Sequence, residues 1–158
     1  MSNFQFFSTT PCADANSKNF RYSQAVKVGQ TVKTSGQGGW DVAESIVPDI
    51  EKQVIIAFEN VEKALKCVDS QLSWQNVYPV RSYHTKAEET FDIVTANFER
   101  VIPSHRPIWT CVEFRKLGIQ GILIEIEVRI AILEHDYGLH TVDYKEGSPM
   151  SVHRRLKQ

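Results

Sequence analysis

The stretch ILIEIEVRIAIL, residues 122–133, alternates between apolar and charged side chains and decides how the chain is expected to fold. A strand points successive side chains to opposite faces, so a period of two is typical of a strand with one buried face. One face is apolar, at Ile124, Ile126, Val128, Ile130 and Ile132. The other face is charged, at Glu125, Glu127 and Arg129. We therefore predict a long strand that contributes to a core on one side only.

The preceding stretch HRPIWTCVEF (105–114) also alternates after its proline. It predicts a strand over Thr110–Leu117. One side has the composition of a core face, at Thr110, Val112 and Phe114. The opposite side combines an aromatic ring, a thiol and a carboxylate, at Trp109, Cys111 and Glu113. We expect this mixed side to be the one that meets a ligand or another subunit.

The other periodicities predict two helices and three more strands. Apolar residues recur at three- and four-residue steps in PDIEKQVIIAFENVEKALKCV (48–68) and AEETFDIVTANFERVI (87–102), which is the helical period. SQAVKVGQTVKTSGQ (23–37) indicates two short strands joined at Gly29-Gln30, and WQNVYPVRSYH (74–84) indicates one more. The predicted order is β-β-α-β-α-β-β, an α+β domain with a mixed sheet.

Two helices with one apolar stripe each can cover only one face of this sheet. The uncovered face is then expected to carry Trp109, Cys111, Glu113, Glu125, Glu127 and Arg129. Such a face is too charged for a sealed core, where every carboxylate needs a partner. Self-association is the simplest solution, and an interface that holds water and charge is a natural place for a ligand pocket.

Length and composition exclude several classes of protein. The 158 residues suit one domain, and a net charge of −1 provides no basic field for nucleic acid. No apolar run reaches the ~20 residues of a membrane helix, and the start has no secretory pattern. The cysteines, Cys12, Cys67 and Cys111, have no metal spacing and indicate reduced thiols in a cytoplasmic protein, with the mitochondrion left open.

The last part of the chain is polar. Residues 134–158 contain three of the five histidines and end in HRRLKQ. We interpret them as a C-terminal extension to a single domain of residues 1–133, with a mobile end. His135 and His140 have poor spacing for a metal site in a loop, so we expect surface histidines and no bound metal.

Four segments in order resemble the Rid family, the YjgF-like reactive intermediate deaminases. They are YSQAVKVGQTVKTSGQ (22–37), FENVEKAL (58–65), PxxTCVEFRKL (107–117) and IEIEVRIA (124–131), and the resemblance runs from residue 20 to 133. It implies a chorismate-mutase-like fold, a homotrimer and ligand clefts between subunits. It also implies hydrolysis of reactive enamines and imines to ammonia and 2-keto acids, with no metal or cofactor.

The resemblance also implies a set of site residues. Family members grip the substrate carboxylate with an arginine, and Trp109 stands at that position here; a helix asparagine is replaced by Thr95. The glutamate that orients or activates water corresponds to Glu125, and Tyr22 is the second catalytic candidate. Substrate contacts are expected from Ser35, Gly36, Gln37, Thr110 and Cys111. Arg106 and His105 are the two candidates to replace the missing arginine.

Each of these residues also has a purely structural interpretation. Trp109 could pack in an interface, Cys111 could be a small buried residue, Tyr22 could be a packed aromatic, and Glu125 could pair across the interface with Arg129 or Arg115. Three functions follow from the sequence. The first is a Rid-like deaminase with altered specificity. The second is a non-catalytic trimer that binds a small apolar or aromatic metabolite between subunits, and the third and weakest is a ribonuclease, because clustered basic charge is lacking.

Overall fold

The computed structural model describes residues 3–9, 18–43 and 45–132. A single mixed sheet has the strand order β1-β2-β3-β7-β5-β6, and β4 pairs with β7 beside this path. Only β5 and β6 are parallel neighbours; the other pairs are antiparallel. The strands are β1 Phe4–Phe7, β2 Ala25–Val28, β3 Thr31–Thr34, β4 Gln37–Gly38, β5 Val77–His84, β6 Ile108–Glu113 and β7 Ile124–Ala131. The predicted α+β class and mixed sheet are confirmed.

Two helices, α1 Ile50–Val68 and α2 Ala87–Val101, lie where the sequence period predicts them. Asp49 caps α1, because its carboxylate accepts a hydrogen bond from the Lys52 backbone N–H at 2.8 Å. The first turn of α2 is capped by a residue that is remote in sequence: the Glu113 carboxylate accepts a hydrogen bond from the Ala87 backbone N–H at 2.7 Å. Glu113 therefore ties the end of β6 to the positive end of α2.

The core lies between these helices and one face of the sheet. The apolar side of β7 is fully buried there, and so is the α1 stripe formed by Val54, Phe58, Val61 and Leu65. Phe58 stacks on Trp74 at 4.7 Å between ring centroids, and Phe98 of α2 meets Phe58 edge-on at 5.5 Å. Because both helices pack on this side, the opposite face has no covering element among the described residues.

The uncovered face has apolar edges and a charged centre. Phe4 and Phe6 of β1 are 55% and 66% exposed and stack on each other at 6.2 Å. Across the centre, Arg81 of β5 faces Glu127 of β7, and their side chains form an ion pair at 3.5 Å. The prediction that the glutamates and arginine of β7 lie on an uncovered face is thus correct.

The prediction that the mixed side of β6 lies on the uncovered face of the sheet is wrong. Trp109, Cys111 and Glu113 are register partners of Val80, Ser82 and His84, which are all buried. Directly opposite residues share a face, so the mixed side points toward the helices. Alternation in the sequence divides a strand into two sides, but it does not say which side the helices cover. Here the side of Thr110 and Val112 is the uncovered one.

Several boundaries also differ from the prediction. The Phe4–Phe7 run forms β1 on the edge of the sheet, and Gln37–Gly38 forms β4, so the order begins with four strands instead of two. β6 starts at Ile108 and ends at Glu113, short of the predicted Leu117. Residues 74–76 form a 3₁₀ turn before β5. The predicted extension of residues 134–158, with His135 and His140, and also Cys12 lie outside the described residues.

The turn between β2 and β3 is where the sequence placed it. Gly29 has φ 57°, a conformation that glycine adopts without steric cost, and it lets β2 fold back on β3. None of the helices in the described ranges is long and apolar enough to span a membrane.

Candidate functional site

Tyr22 is the first member of a connected series of polar side chains beside the β2–β3 hairpin. Its hydroxyl accepts a hydrogen bond from Gln24 Nε2 at 3.0 Å, and Gln24 Oε1 accepts from Gln37 Nε2 at 2.7 Å. Gln37 Nε2 also donates to Ser35 Oγ at 3.0 Å. Both glutamines are buried, at 4% and 2% exposure, and their hydrogen bonds satisfy polar groups that water cannot reach. We call this series the tyrosine–glutamine chain. Its two glutamines fix the orientation of the Tyr22 and Ser35 hydroxyl groups.

Glu125 lies directly against Gly36, the residue between Ser35 and Gln37. A Cβ built on Gly36 would be 2.5 Å from Glu125 Oε2, so the carboxylate occupies the space that any other residue would fill. Burial raises the pKa of the Glu125 carboxyl above its usual range. The side chain can therefore hold or release a proton closer to neutral pH than an exposed glutamate can.

A cleft of about 310 Å³ opens beside these residues. Its wall is lined by Tyr22, Thr34 and Ser35 and by the cationic residues Arg21 and Lys33. The structure thus brings together five of the residues predicted from the sequence: Tyr22, Ser35, Gly36, Gln37 and Glu125. Their arrangement places a carboxyl with a raised pKa beside a hydrogen-bonded series of polar side chains, next to an open space.

Trp109 lies elsewhere, on the helix side of β6. Its ring packs against Phe91 at 4.8 Å and meets Phe98 edge-on at 5.2 Å, both from α2. Its indole N–H donates to Ser82 Oγ at 2.8 Å. Thr95 belongs to the same face of α2, between the two phenylalanines, and its hydroxyl donates to the Asp92 carbonyl at 2.9 Å. The aromatic therefore fills the position at which the resemblance places an anchoring arginine.

A buried polar chain fixes Trp109, and its proton positions can be derived. Thr90 Oγ1 donates to the Lys86 carbonyl at 2.9 Å, so it must accept from His84 Nδ1 at 2.5 Å. Burial lowers the pKa of His84, so the neutral ring accepts at Nε2, where Ser82 Oγ lies 2.7 Å away. Ser82 then donates to His84, which leaves its oxygen to accept from Trp109. We call this the Thr90–His84–Ser82 relay.

Cys111 is a half-buried thiol beside the same relay. Burial raises the pKa of the Cys111 thiol above its usual range, so the sulfur keeps its proton at neutral pH. A nucleophile would need the opposite shift, and the nearby His84 already uses both ring nitrogens. The interpretation of Cys111 as a small packing residue fits this geometry. Among the described residues, no group of three or more His, Cys, Asp and Glu could hold a metal ion.

The two proposed replacements for the arginine occupy different environments. His105 Nε2 contacts the Val77 carbonyl at 2.7 Å, and its Nδ1 lies 3.3 Å from Ser104 Oγ, so both ring nitrogens have partners within the chain. Arg106 is exposed and precedes the first residue of β6. Thr110 is exposed on the uncovered face, opposite Arg81.

The candidate residues therefore form two separate groups in one chain. Glu125 on β7 and Trp109 on β6 are separated by β5, which corresponds to about 10 Å across the sheet, and they point to opposite faces. Within the described ranges of one chain Glu127 pairs with Arg81, and the alternative in which Glu125 pairs with Arg129 or Arg115 across an interface between copies stays a prediction. A site that used both groups would need two copies of the chain.

Sequence reasoning missed Gln24 and the relay residues. A signal was present for the relay, because Ser82 and His84 stand at alternate positions in a predicted strand, in phase with buried Val80. Polar residues at core positions require partners, and such partners are often functional or structural networks. Gln24 had no comparable signal, since its burial depends on the way the β2–β3 hairpin closes over it.

Comparisons with known proteins agree with this architecture. Residues 13–132 match the family described as Endoribonuclease L-PSP. The RutC family protein YjgH of Escherichia coli (strain K12) is 33% identical over 115 residues, covering 72% of this chain and 85% of that protein. The solved structure of protein YJGH is 28% identical with a TM-score of 0.66, covering 75% of this chain and 88% of that chain.

Two further solved structures are similar. RidA from an Antarctic Psychrobacter is 28% identical with a TM-score of 0.64, covering 70% of this chain and 88% of that chain. Escherichia coli TdcF with bound serine is 26% identical with a TM-score of 0.60, covering 70% and 87%. The sheet with two helices on one face is accordingly the chorismate-mutase-like fold predicted from the sequence. The chain belongs to the Endoribonuclease L-PSP family, which is the Rid (YjgF-like) family.

Proposed function

We propose that this protein is a hydrolase of reactive enamine or imine intermediates, with Glu125 as its general acid–base group. The observation that carries this function is the position of the Glu125 carboxyl: it packs on Gly36, its pKa is raised by burial, and it lies next to the tyrosine–glutamine chain. A catalytic acid–base group works best when its pKa is near the operating pH.

The chemistry needs only water and proton transfers. An enamine first tautomerises to the imine, whose nitrogen is protonated in the reactive form. Water then adds to the C=N carbon while the Glu125 carboxylate takes one water proton, which gives a neutral carbinolamine. Glu125 returns that proton to nitrogen, the C–N bond breaks as ammonia leaves, and the hydroxyl proton passes to the Glu125 carboxylate so that a C=O group remains. Tyr22, whose hydroxyl accepts from Gln24, lines the cleft and is the second group proposed to act on the polarised nitrogen or oxygen. No cofactor or metal enters this scheme.

We further propose that the working unit is a homotrimer whose clefts lie between subunits. The separation of the two residue groups supports this, because a neighbouring copy would bring the β6 side of one chain to the Tyr22 side of another. The uncovered face also exposes large apolar side chains, with Phe6 66% and Ile108 72% exposed. Exposed apolar surface of this kind marks interaction sites.

The specificity is proposed to differ from that of relatives with an arginine at position 109. TdcF was solved with serine, an amino acid that carries a carboxylate. Trp109 offers one N–H, which Ser82 already accepts, and so provides no bidentate fork for such a group. A cytoplasmic location is the accompanying proposal, and the free thiols of Cys67 and Cys111 suit a reducing compartment.

The test is the hydrolysis rate of imines produced in situ by an amino-acid oxidase, followed by the decrease in semicarbazide trapping. The substrate panel includes aliphatic and aromatic amino acids. Glu125→Gln is expected to lose ~100-fold or more of the rate. Glu59→Gln is the matched control, since it removes a carboxylate from the exposed side of α1 and should leave the rate unchanged. Equal rates for wild type and Glu125→Gln would contradict the proposed function.

A second candidate function is a non-catalytic small-molecule binder. The observation that favours it is Trp109, which fills the arginine position with a packed aromatic ring. Saturable binding of an aromatic metabolite, together with no imine hydrolysis across the panel, would replace the hydrolase proposal with this one. RNA cleavage is measured on the same preparations as the third alternative, with a control for contaminating nuclease.

A further inference from the structure

Arg21 has an unusual backbone conformation at the mouth of the cleft. Its φ of 56° lies in the left-handed region, and it is the single described residue other than glycine with a positive φ. A long side chain seldom adopts this conformation, and such positions are concentrated at ligand-binding sites. Arg21 immediately precedes Tyr22 in the sequence, and both residues line the cleft.

Lys33 is the second cation of the cleft, and its surroundings are electrostatically unfavourable. It is the register partner of Arg129 on β7, so two positive side chains lie directly opposite each other on the uncovered face. Like charges at directly opposite positions destabilise a sheet. Among residues 3–9, 18–43 and 45–132, no carboxylate forms an ion pair with Arg21, Lys33 or Arg129. An anion placed here would offset this repulsion.

The other polar residues of the cleft bring no negative charge to the two cations. Tyr22 and Ser35 line the same wall, and Ser35 Oγ donates to the Gln24 carbonyl at 3.2 Å. No acidic side chain lines the cleft in the described part of the chain. Glu125 lies just beyond this wall, where Gly36 leaves room for it. An anion held by the cations would therefore place its neighbouring atoms toward a proton-exchanging carboxyl.

We propose that Arg21 and Lys33 form the anion site of this protein and bind the carboxylate of a small organic acid. Arginine can engage both carboxylate oxygens through its planar guanidinium, and lysine adds a compact charge. The ligand carboxylate is thus bound on the side of the cleft lined by Arg21, Tyr22 and Lys33, and Trp109 takes no part in binding it. This names the substrate class for the proposed hydrolase and rests on that function for the reaction, while the binding itself does not depend on turnover.

The test is calorimetric titration of the full-length protein with pyruvate, and with uncharged methyl pyruvate for comparison. Arg21→Asn removes the guanidinium and tolerates a positive φ, because asparagine adopts this region readily. Lys33→Gln removes the other charge. Lys27→Gln is the matched control: it removes one lysine from the same hairpin, but at a position opposite Val32 on the helix side.

Wild type is expected to bind pyruvate and not its ester, with an affinity that falls as salt is raised. Each cleft variant should raise the Kd by about tenfold, and Lys27→Gln should leave it unchanged. Lys33→Gln should also melt no lower than wild type without ligand, since it removes the repulsion from Arg129. A fall in melting temperature would indicate a structural role for Lys33 instead.

Three results would overturn this assignment. One is a pyruvate Kd that is unaltered in the Arg21→Asn, Lys33→Gln double variant, and another is absence of pyruvate binding to wild type. The third is a change of oligomeric state in the variants with no change in pyruvate binding, which would show that the cations bind a carboxylate of a neighbouring copy. Glu125→Gln separates the two proposals: it should bind pyruvate normally, and full imine hydrolysis by it would remove the proposed function while leaving the anion site intact.

Discussion

Replacing Trp109 by alanine is expected to destabilise the protein strongly, although the residue lies on an edge strand. Its ring touches Phe91 and Phe98 on α2, and its N–H is one of the donors to Ser82 in the Thr90–His84–Ser82 relay. Truncation would leave a void between β6 and α2 and would take a hydrogen bond from a fully buried hydroxyl. Both effects lower the free energy of unfolding.

The size of the effect follows from these contacts. A fully buried tryptophan costs ~3–5 kcal/mol on truncation to alanine, and the partial exposure of Trp109 reduces this to about 2 kcal/mol. The hydrogen bond to Ser82 adds about 1 kcal/mol. A loss of about 3 kcal/mol in a domain of this length corresponds to a fall in Tm of roughly 6–12 °C. Trp109→Phe keeps most of the packing and loses the N–H, so it should cost about 1 kcal/mol.

The assay is urea unfolding followed by circular dichroism, with thermal melts at several protein concentrations so that assembly is taken into account. Val42→Ala serves as the surface control, because Val42 is 78% exposed in a loop, and its cost should stay within about 0.5 kcal/mol. If Trp109→Ala cost no more than Val42→Ala, the ring would not be packed under α2 and the assignment of β6 to the helix side would be refuted.

Four further predictions concern titration and backbone packing. The raised pKa of Glu125 means that stability is lost as pH rises from its unfolded value of ~4.3 through its higher folded pKa, so Glu125→Gln should stabilise more at pH 8 than at pH 4 in thermal melts. The lowered pKa of His84 has the opposite effect on stability, which falls as pH drops below the unfolded value of ~6.5. This loss of stability in acid should be absent in His84→Gln. Melting temperatures of the two proteins that change in parallel from pH 7 to 5 would contradict the prediction. Gly36→Ala should change Tm little, because the Glu125 side chain can move, yet lower the hydrolysis rate. Gly39→Ala should unfold the protein, because a Cβ there would overlap the backbone of Gln53, and soluble folded Gly39→Ala protein would disprove this.

Much of the architecture was predictable from local pattern. The period of three to four residues in 48–68 and 87–102 and the period of two in 122–133 each correspond to a helix or strand in the structure. The turn at Gly29 was predictable because glycine accepts a positive φ. β1 was missed, since the four residues FQFF are too few to establish a period, and the segment becomes a strand by pairing with β2 on the edge of the sheet.

The candidate site was predictable only in part. The resemblance to the Rid family named Tyr22, Ser35, Gly36, Gln37 and Glu125, and the structure places these together. It could not supply the cations beside them: Arg21 and Lys33 have ordinary surface character in the sequence, and only the closing of the β2–β3 hairpin brings them to one cleft. The raised pKa of the Glu125 carboxyl depends in the same way on burial in the folded chain, which no short sequence pattern encodes.

The sequence by itself determined which segments are helices and strands, that one face of the sheet is charged, and which family the chain resembles. These follow from local geometry, because side-chain periodicity is a property of the individual element. Only the tertiary structure decided the side on which Trp109, Cys111 and Glu113 lie. A strand has two equivalent sides until it pairs with a neighbour, and the parallel register of β6 with Ser82 and His84 of β5 turned the mixed side toward the helices.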